Sequence, residues 1–531
     1  MTISGKLLIA GEWQEGDAGS FQAVNPATGQ PIATQHTKAS EQQVSVAAEL
    51  AGEAFAGYRN TSLKARATFL HACADHIMQL GDELLDCMQQ ETGYPRGRCE
   101  GERARTVGQL RMQADYIVSG DYLDPRIDSA LPQRQPIPRP DLRYLNQAIG
   151  VVAVFAVSNF PLAYSSAGGD TASALAAGCP VIVKGHPSHP GTGELVVQAL
   201  QRAARECDMP TGVISYIQGD DNIAGAALIN APQVKAIGFT GSIKGGTSIA
   251  KMAAVRPEPI PVFAEMGSIN PVVLLPHALA ESATDIAAGF VGALTLGTGQ
   301  FCVNPGLIVA LKSPHLDTFV EAVSAQLNGA GAGVMLNQRI CQNYQQGVEQ
   351  FTQYSGVAVA ANGEPVAQTE GFYAQTALFR TQASYFLANP QLHEEVFGPA
   401  SLLVECETVA QIQQVLLSLP GQLTGTVHGA KDELEEHSAL LDLLSVKVGR
   451  MVINGFPTGV EVCPAMVHGG PFPASTDSRF TAVGTAAIHR WIRPVCYQNF
   501  PQTLLPEALK DANPLGLLRT VNGIKTLDPI V

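Results

Sequence analysis

The chain has 531 residues, of which 46% are hydrophobic and 15% are charged, and its formal net charge is -14. This length exceeds one ordinary hydrophobic core, so we expect two or three domains. The excess of 47 acidic over 33 basic side chains disfavours nucleic acid and anionic membranes as partners, because phosphate binding requires clustered lysine and arginine.

The first residues, MTISGKLLIAGEW, contain one short apolar run, which is too short for the core of a signal peptide. No uninterrupted apolar segment reaches the ~18 residues that a transmembrane helix requires. The 10 cysteines are scattered without a CxxC pair, so they predict neither a disulfide framework nor a metal site. We expect a cytoplasmic protein with no membrane partner, no nucleic-acid partner and no bound metal.

Helical periodicity dominates residues 40–120, and a parallel α/β sheet is predicted after it. Apolar runs of strand length alternate there with helical segments, the first of which covers 162–178. The runs are 150–157, 180–185, 212–219, 234–241 and 259–267. This repetition is typical of a doubly wound sheet, which binds nucleotides beyond the carboxyl ends of its strands.

The rest of the chain contains a second alternating region, an excursion and a tail. Strands and helices continue to alternate over about 270–455. Residues 125–144 are rich in proline and arginine and are expected to leave the compact body, and residues beyond 470 are expected to form loops and short helices. The segment GAGAG at 329–333 follows a predicted helix and not a strand, so it does not indicate a phosphate-binding loop.

Five segments carry motifs that resemble those of the aldehyde dehydrogenase superfamily. In chain order they are SNFPL (158–162), GFTGSIKGG (238–246), FAEMGSINP (263–271), LGTGQFC (296–302) and EEVFGP (394–399). The resemblance implies an α/β fold with a Rossmann-like cofactor domain, an α/β catalytic domain and a small oligomerisation arm, in a homodimer or homotetramer. The implied boundaries are 1–124 and 145–262 for the cofactor domain, 263–455 for the catalytic domain, and 125–144 with 456–531 for the arm and tail.

The resemblance also implies three residues that carry NAD(P)-dependent oxidation of an aldehyde. Cys302 matches the nucleophile, and the small residues Gly297 and Gly299 leave room beside it for backbone and cofactor. Asn159 is implied to stabilise the alkoxide through its side-chain amide, together with the backbone N–H of Cys302. Glu265 is implied to deprotonate the water that hydrolyses the thioester.

Six further residues match positions that hold the nicotinamide cofactor in the superfamily. They are Lys184 for the adenine-side ribose, Ser242, Gly241 and Gly246 for the pyrophosphate, and Glu395 and Phe397 for the nicotinamide end. Pro187 stands where NAD-preferring relatives often carry a glutamate, so no carboxylate at that position repels a 2′-phosphate. We therefore expect NADP as the cofactor, with NAD also accepted. His186 and His189 are expected to be surface loop residues.

Two departures from the common motifs narrow the resemblance to a subgroup. Ser158 precedes Asn159 where most relatives carry tryptophan, and the closing segment reads HGGPFPAST over 468–476. These features resemble 2-oxoglutarate semialdehyde (2,5-dioxovalerate) dehydrogenases, with long-chain fatty-aldehyde dehydrogenases as near relatives. The implied reaction is oxidation of 2,5-dioxopentanoate to 2-oxoglutarate, and a long-chain aldehyde is the alternative substrate.

The residues that select the substrate are less strongly indicated. A substrate carboxylate pairs well with an arginine, and Arg105 and Arg111 lie on the helical segment 101–117. We favour Arg105, with a surface or interdomain ion pair as the alternative role for either residue. His468 is a candidate neighbour of the nucleophile that tunes the thiolate or the water, and a structural histidine is the alternative.

Two other activities of this fold are disfavoured by the same residues. An acylating dehydrogenase releases the thioester to coenzyme A and has no use for a water-activating base, so Glu265 argues against it. A catalytically silent binding protein has no need to retain Cys302, Glu265 and Asn159 together.

Overall fold

In a computed structural model that describes residues 2–530, two seven-stranded sheets form the framework of the molecule. The first sheet has five parallel strands, extended at one side by two antiparallel strands from the N-terminal region. In sheet order these strands are Val262–Glu265, Val234–Thr240, Val151–Phe155, Val181–Lys184, Ile214–Ile217, Leu7–Ile9 and Glu12–Gln14. The predicted doubly wound α/β sheet is confirmed.

Helices cover both faces of the first sheet. Those of the N-terminal region are Glu41–Tyr58, Leu63–Gln79, Gly81–Thr92 and Arg96–Val118. Those that connect the parallel strands are Gly169–Ala177, Pro190–Glu206, Ile223–Asn230 and Ile243–Ala254. Alternate residues of one strand contribute to different cores: Val152 packs in one cluster and Val151 in another. Burial on both faces explains why this strand is apolar throughout.

The second sheet has six parallel strands and one antiparallel edge strand. In sheet order they are Val357–Asn362, Ala377–Gln382, Ala400–Cys406, Leu307–Leu311, Val272–Leu274, Gln422–His428 and Val448–Ile453. Its helices are Pro276–Thr295, Pro314–Leu327, Gln338–Gln353, Ala383–Ala388, Val409–Ser418, Lys431–Glu436 and Ser438–Ser445. The segment GAGAG follows the helix Pro314–Leu327, which agrees with its interpretation as a connection after a helix.

The proline-rich excursion and the C-terminal tail meet in a five-stranded sheet. Its order is Ile492–Gln498, Leu142–Ala148, Arg126–Asp128, Arg519–Val521 and Ile524–Thr526. Short two-stranded ribbons complete the strand inventory of the described chain, formed by Ser20–Phe21, Val24–Asn25, Gln30–Pro31, His36–Thr37, Gly333–Val334 and Tyr373–Ala374. The strand Leu142–Ala148 crosses the boundary expected after residue 144. The domain limits and the role of this sheet as an oligomerisation arm stay predictions.

One helical stretch, Pro276–Gly299, is long and apolar enough to cross a membrane by length and composition alone. Its residues Phe290 and Leu294 are fully buried in a core cluster together with Phe319 of the neighbouring helix. A core helix of a globular domain passes the same test of length and composition, so this helix does not itself indicate a membrane span.

The helix predicted over 162–178 begins only at Gly169. The preceding residues form buried turns, and Gly168 is extended with a ψ of -171°. A Cβ atom at Gly168 would lie 2.5 Å from the carbonyl oxygen of Ala163, so this glycine permits a close approach that a continuous helix does not need. Tyr164 lies in these turns, and its ring packs edge-on against that of Phe160.

Candidate active site

The candidate active site lies where segments of the two sheets meet. Glu265 ends the edge strand of the first sheet, and Cys302 lies on the connection that leads into the strand Leu307–Leu311 of the second sheet. The segment that contains His468 passes beside the edge strand, where Ser475 forms a β-bridge with Glu265. One donor atom from each of Glu265, Cys302 and His468 lies within 4.8 Å of the other two.

A tight turn positions Cys302. Gly297 and Gly299 adopt left-handed backbone conformations with φ values of 56° and 65°. A Cβ atom at Gly299 would lie 2.4 Å from the carbonyl carbon of Gly398, so only glycine allows these two backbone segments to approach. The side-chain amide of Asn270 donates a hydrogen bond of 2.9 Å to the carbonyl oxygen of Cys302. These constraints fix the backbone that carries the sulfur.

The environment of Cys302 stabilises its neutral thiol. Desolvation is the main cause that raises the pKa of Cys302 well above its ordinary value, and the charge of Glu265 acts in the same direction. The guanidinium of Arg105 lowers this pKa and only partly opposes the shift. A thiolate nucleophile at this position therefore requires a nearby group that accepts the thiol proton.

His468 lies between the sulfur and the carboxylate. Its Nε2 is 3.4 Å from Sγ of Cys302, within hydrogen-bond distance, and 2.9 Å from Oε1 of Glu265. His468 is 2% exposed and Glu265 is 5% exposed, so both groups are shielded from bulk water. The hydrogen-bond distance between Nε2 and Sγ allows the imidazole to accept a proton from the thiol.

Asn159 lies beside the loop that carries the cysteine. Its Nδ2 donates a hydrogen bond of 2.9 Å to the carbonyl oxygen of Gln300, and its own carbonyl accepts a hydrogen bond of 3.0 Å from the hydroxyl of Tyr94. Phe160, the next residue, packs edge-on against Phe301. An amide donor and an aromatic wall thus lie next to the turn that ends at Cys302.

The two arginines considered for the substrate lie in different environments. The guanidinium of Arg105 is 3.2 Å from the hydroxyl of Tyr164 and lies over the rings of Tyr164 and Phe160, beside the candidate site. Its charge acts on Cys302. Arg111 instead pairs with Asp75 on the surface at 2.8 Å, with 47% of its side chain exposed. Of the two, only Arg105 is placed near the cysteine.

The cofactor candidates begin with Lys184, the last residue of its strand. Its ammonium donates a hydrogen bond of 2.6 Å to the carbonyl oxygen of Gly219. Burial lowers the pKa of Lys184 to about 8, while the carboxylates of Asp221 and Asp220 act in the opposite direction. Both of these carboxylates pair with Lys38.

Ser242 begins the helix Ile243–Ala254, and its hydroxyl accepts a hydrogen bond of 3.1 Å from the backbone N–H of Gly245. Gly241 connects the preceding strand to this helix, and the first residues of the helix are exposed. A Cβ atom at Gly246 would lie 2.5 Å from the sulfur of Met266, so this helix packs closely against the strand that ends at Glu265. An open helix N-terminus of this kind attracts anions.

Glu395 and Phe397 line a cavity together with Ser268 and Asn304. Burial raises the pKa of Glu395 to about 7, and a hydrogen bond from the backbone of Ser268 acts in the opposite direction. A Cβ atom at Gly267 would lie 2.3 Å from the Glu395 carboxylate, so the carboxylate rests directly on this glycine. The charge of Glu395 also acts on Cys302.

Comparison with known proteins decides the family. A profile of the aldehyde dehydrogenase family matches residues 13–483. This chain belongs to the aldehyde dehydrogenase family. The superfamily predicted from the motifs is therefore confirmed, and the chain is an NAD(P)-dependent oxidoreductase that acts on aldehydes.

Curated aldehyde dehydrogenases resemble this chain over its whole length. Alpha-ketoglutaric semialdehyde dehydrogenase 2 of Azospirillum brasilense is 50% identical over 524 residues, which cover 98% of this chain and 99% of that protein. Alpha-ketoglutaric semialdehyde dehydrogenase of Acinetobacter baylyi is 45% identical over 527 residues, with 98% and 99% covered.

A solved structure supports the fold at greater sequence distance. Aldehyde dehydrogenase C from Pseudomonas syringae, a mutant in complex with NAD+ and octanal, superposes with a TM-score of 0.81 at 22% identity. The match covers 94% of this chain and 97% of that chain.

Several residues of this aldehyde dehydrogenase were not found by sequence reasoning. Asn270 anchors the cysteine loop; it lies inside the motif 263–271, but no role was predicted for it. Arg450 lies close to Cys302 and Tyr164: burial lowers the pKa of Arg450, and the charges of these two groups only partly oppose the shift. The expectation that His189 is a surface residue is wrong: its ring is fully buried, and its Nε2 lies 2.7 Å from the carbonyl oxygen of Val157.

Proposed function

We propose that this aldehyde dehydrogenase oxidises 2-oxoglutarate semialdehyde (2,5-dioxopentanoate) to 2-oxoglutarate, with NADP as the preferred acceptor and NAD also accepted. The relatives from Azospirillum brasilense and Acinetobacter baylyi that carry this activity in their names support the substrate. The observation that carries the mechanism is the approach of Cys302, His468 and Glu265 within 4.8 Å. Aldehyde, water and the oxidised cofactor are converted to carboxylate, reduced cofactor and two protons.

Cys302 is proposed as the nucleophile, with His468 as the acceptor of its proton. The raised pKa of Cys302 leaves the thiol neutral at rest, and Nε2 of His468 lies 3.4 Å from its sulfur. Transfer of the proton to Nε2 frees the sulfur to form a bond with the aldehyde carbon, which yields a thiohemiacetal alkoxide. Asn159 and the backbone N–H of Cys302 are proposed to donate hydrogen bonds to this oxygen.

Residues of both sheets fit the nicotinamide cofactor. The open helix N-terminus at Ser242, with Gly241 and Gly246, suits a pyrophosphate, and the cavity at Glu395 and Phe397 suits the nicotinamide end. Held by these residues, the oxidised cofactor would supply the hydride acceptor that the oxidation of an aldehyde requires.

The preference for NADP is proposed from the charge near the adenine-side ribose. Lys184 offers an ammonium, and Asp220 and Asp221, the acidic groups that act on it, are also paired with Lys38. This arrangement leaves Lys184 available for a 2′-phosphate. Pro187 stands where NAD-preferring relatives often carry a glutamate, so a further carboxylate is missing at this position.

Glu265 is proposed to complete the reaction. The thioester on Cys302 is hydrolysed by a water whose proton passes to the Glu265 carboxylate. Both carboxylate oxygens are buried and have no hydrogen-bond partner among the described residues, so they are available to a water molecule. This step returns the free thiol and releases the carboxylic acid product.

The distal carboxylate of the substrate is proposed to bind Arg105, with Arg450 as a second cation near the cysteine. Arg105 rests on aromatic rings that also suit an apolar chain, which is the observation that favours a long-chain aldehyde as the second candidate substrate. A buried guanidinium favours an anionic substrate over an alkyl chain, because its charge gains a partner only with the anion.

A cytoplasmic homodimer or homotetramer is proposed as the working form, with the five-stranded sheet as the oligomerisation arm. The strand pairing between residues 142–148 and 492–498 supports this arm as one structural unit. The domain limits given by the motifs are proposed with it.

The proposed reaction is tested by the specificity constants kcat/KM of the purified protein. Absorbance of the reduced cofactor is followed with 2,5-dioxopentanoate, succinic semialdehyde and octanal, each with NADP and with NAD. The highest kcat/KM is expected for 2,5-dioxopentanoate with NADP. A higher value for octanal would replace the proposed substrate, and a requirement for coenzyme A would replace hydrolysis by acyl transfer.

A further inference from the structure

The side chains of Cys302, His468 and Glu265 carry a donor set typical of zinc sites. One sulfur, one imidazole nitrogen and one carboxylate oxygen lie within 4.8 Å of one another. Zn²⁺ is bound in proteins by these three ligand types, and three protein ligands with a water in the fourth position are a common arrangement. We propose that these residues form a zinc-binding site that inhibits the enzyme reversibly.

The observed distances are close to those that a bound zinc ion requires. Bond lengths of about 2.3 Å to sulfur and about 2.0–2.2 Å to nitrogen and oxygen place tetrahedral ligands about 3.3–3.6 Å apart. Sγ of Cys302 lies 3.4 Å from Nε2 of His468, which in turn lies 2.9 Å from Oε1 of Glu265. These two distances differ from the required separation by no more than a few tenths of an ångström, and Sγ of Cys302 lies within 4.8 Å of the carboxylate donor.

The Glu265 carboxylate gives an independent indication of a cation site. Both of its oxygens are buried without a hydrogen-bond partner among the described residues, and the 2.9 Å approach of His468 lacks hydrogen-bond geometry. A buried carboxylate without a partner is unfavourable, and a divalent cation at the point where the three donors converge would satisfy it. The edge strand and the turn before Cys302 hold the donors on rigid backbone.

Binding involves no change of oxidation state. The S–H bond of Cys302 breaks and its proton leaves to solvent, while bonds form from Zn²⁺ to the sulfur, to Nε2 of His468 and to one Glu265 oxygen. The proposed nucleophile is then a ligand, so zinc and aldehyde exclude each other. Only this inhibition rests on the proposed function; the binding site itself does not.

The test is a titration of the reduced full-length protein with zinc sulfate in competition with a chromophoric chelator. One zinc ion per chain is expected for the wild-type protein. Cys302→Ser and His468→Gln are each expected to weaken binding by at least about 10-fold, since even a supporting partner of a metal ligand is worth this much. Cys463→Ser and Cys496→Ser, which remove a half-buried and an exposed cysteine outside this cluster, serve as matched controls and are expected to bind zinc as the wild type does.

NADP binding to each variant, measured by quenching of intrinsic fluorescence, verifies that it is folded. Wild-type protein without stoichiometric zinc, or zinc that stays in the variants at 302 and 468 and is lost in the controls, would overturn the site. Activity that falls with zinc and returns with EDTA supports the inhibition. Stoichiometric zinc at this site without loss of activity would leave the site standing and refute Cys302 as the nucleophile.

Discussion

Nε2 of His468 lies 3.4 Å from Sγ of Cys302, and this pair explains how a thiol with a raised pKa becomes reactive. His468→Gln keeps a polar side chain but removes the imidazole nitrogen that can accept the thiol proton. We expect the alkylation of Cys302 by iodoacetamide to slow by about 100-fold, the lower end of general-base contributions. His315→Gln, at an exposed position, is the control and is expected to react as the wild type does. An unchanged rate and pH profile in His468→Gln would show that His468 is only structural.

Replacing Glu265 is expected to separate hydride transfer from the hydrolysis of the thioester. In Glu265→Gln, hydride transfer is expected to give one reduced cofactor per active site, because the base acts only on the later hydrolysis. The steady-state rate is expected to fall by about 10²–10⁴-fold. Stopped-flow absorbance of the reduced cofactor measures both phases, with the exposed Glu281→Gln as control. If burst and steady state fell together, Glu265 would not be the base of hydrolysis.

The cations near the cysteine are expected to select a carboxylate-bearing substrate. Arg105→Met is expected to lower kcat/KM for 2,5-dioxopentanoate by about 10- to 100-fold, the value of a charged hydrogen bond. The same variant is expected to lose less activity with octanal, because only the effect of Arg105 on the pKa of Cys302 is lost there. Arg450→Met tests the second cation in the same assay, and Arg111→Met, whose partner is Asp75 on the surface, is the matched control. An equal loss of kcat/KM with both substrates would show that the arginines have only a structural role.

The affinity for NADP is expected to depend on the protonation of Lys184. Burial lowers its pKa to about 8, so the ammonium is present below this pH and is lost above it. The Kd for NADP is therefore expected to be constant below pH 8 and to rise about tenfold per pH unit above it. The Kd for NAD, which has no 2′-phosphate, serves as the comparison.

Lys184→Met is expected to abolish both the pH dependence and the preference for NADP, and Lys312→Met, on the surface, is expected to change neither. The same pH dependence for both cofactors would remove Lys184 from the 2′-phosphate site.

The fold and the main site residues could be predicted from the sequence because short, contiguous stretches of the chain encode both. Alternating strands and helices predict the parallel sheet, and contiguous motifs around Cys302 and Glu265 mark their positions. His468 was identified as a candidate from a motif, but its contacts with Cys302 and Glu265 depend on chain segments that are far apart. A local sequence pattern contains no information on the distance between side chains of such separate segments.

The predictions that were wrong or missing also depend on contacts between segments that are far apart in the chain. His189 lies in a short loop after a strand, and such loops are commonly exposed, but the carbonyl of Val157 and the surrounding core bury this ring. The helix predicted from residue 162 starts seven residues later, at Gly169, because the turns before it pack against the site. Arg450 comes from the last strand of the second sheet, and only the fold brings it near Cys302.

The proposed mechanism requires that the acyl group of the substrate becomes bonded to Cys302. Its most direct test is mass spectrometry of Glu265→Gln, denatured in acid after mixing with 2,5-dioxopentanoate and NADP. A mass increase equal to one acyl group is expected on the peptide that contains Cys302, and no increase is expected in the double variant with Cys302→Ala. An acyl group on another cysteine, or reduced cofactor formed by the double variant without any adduct, would contradict it.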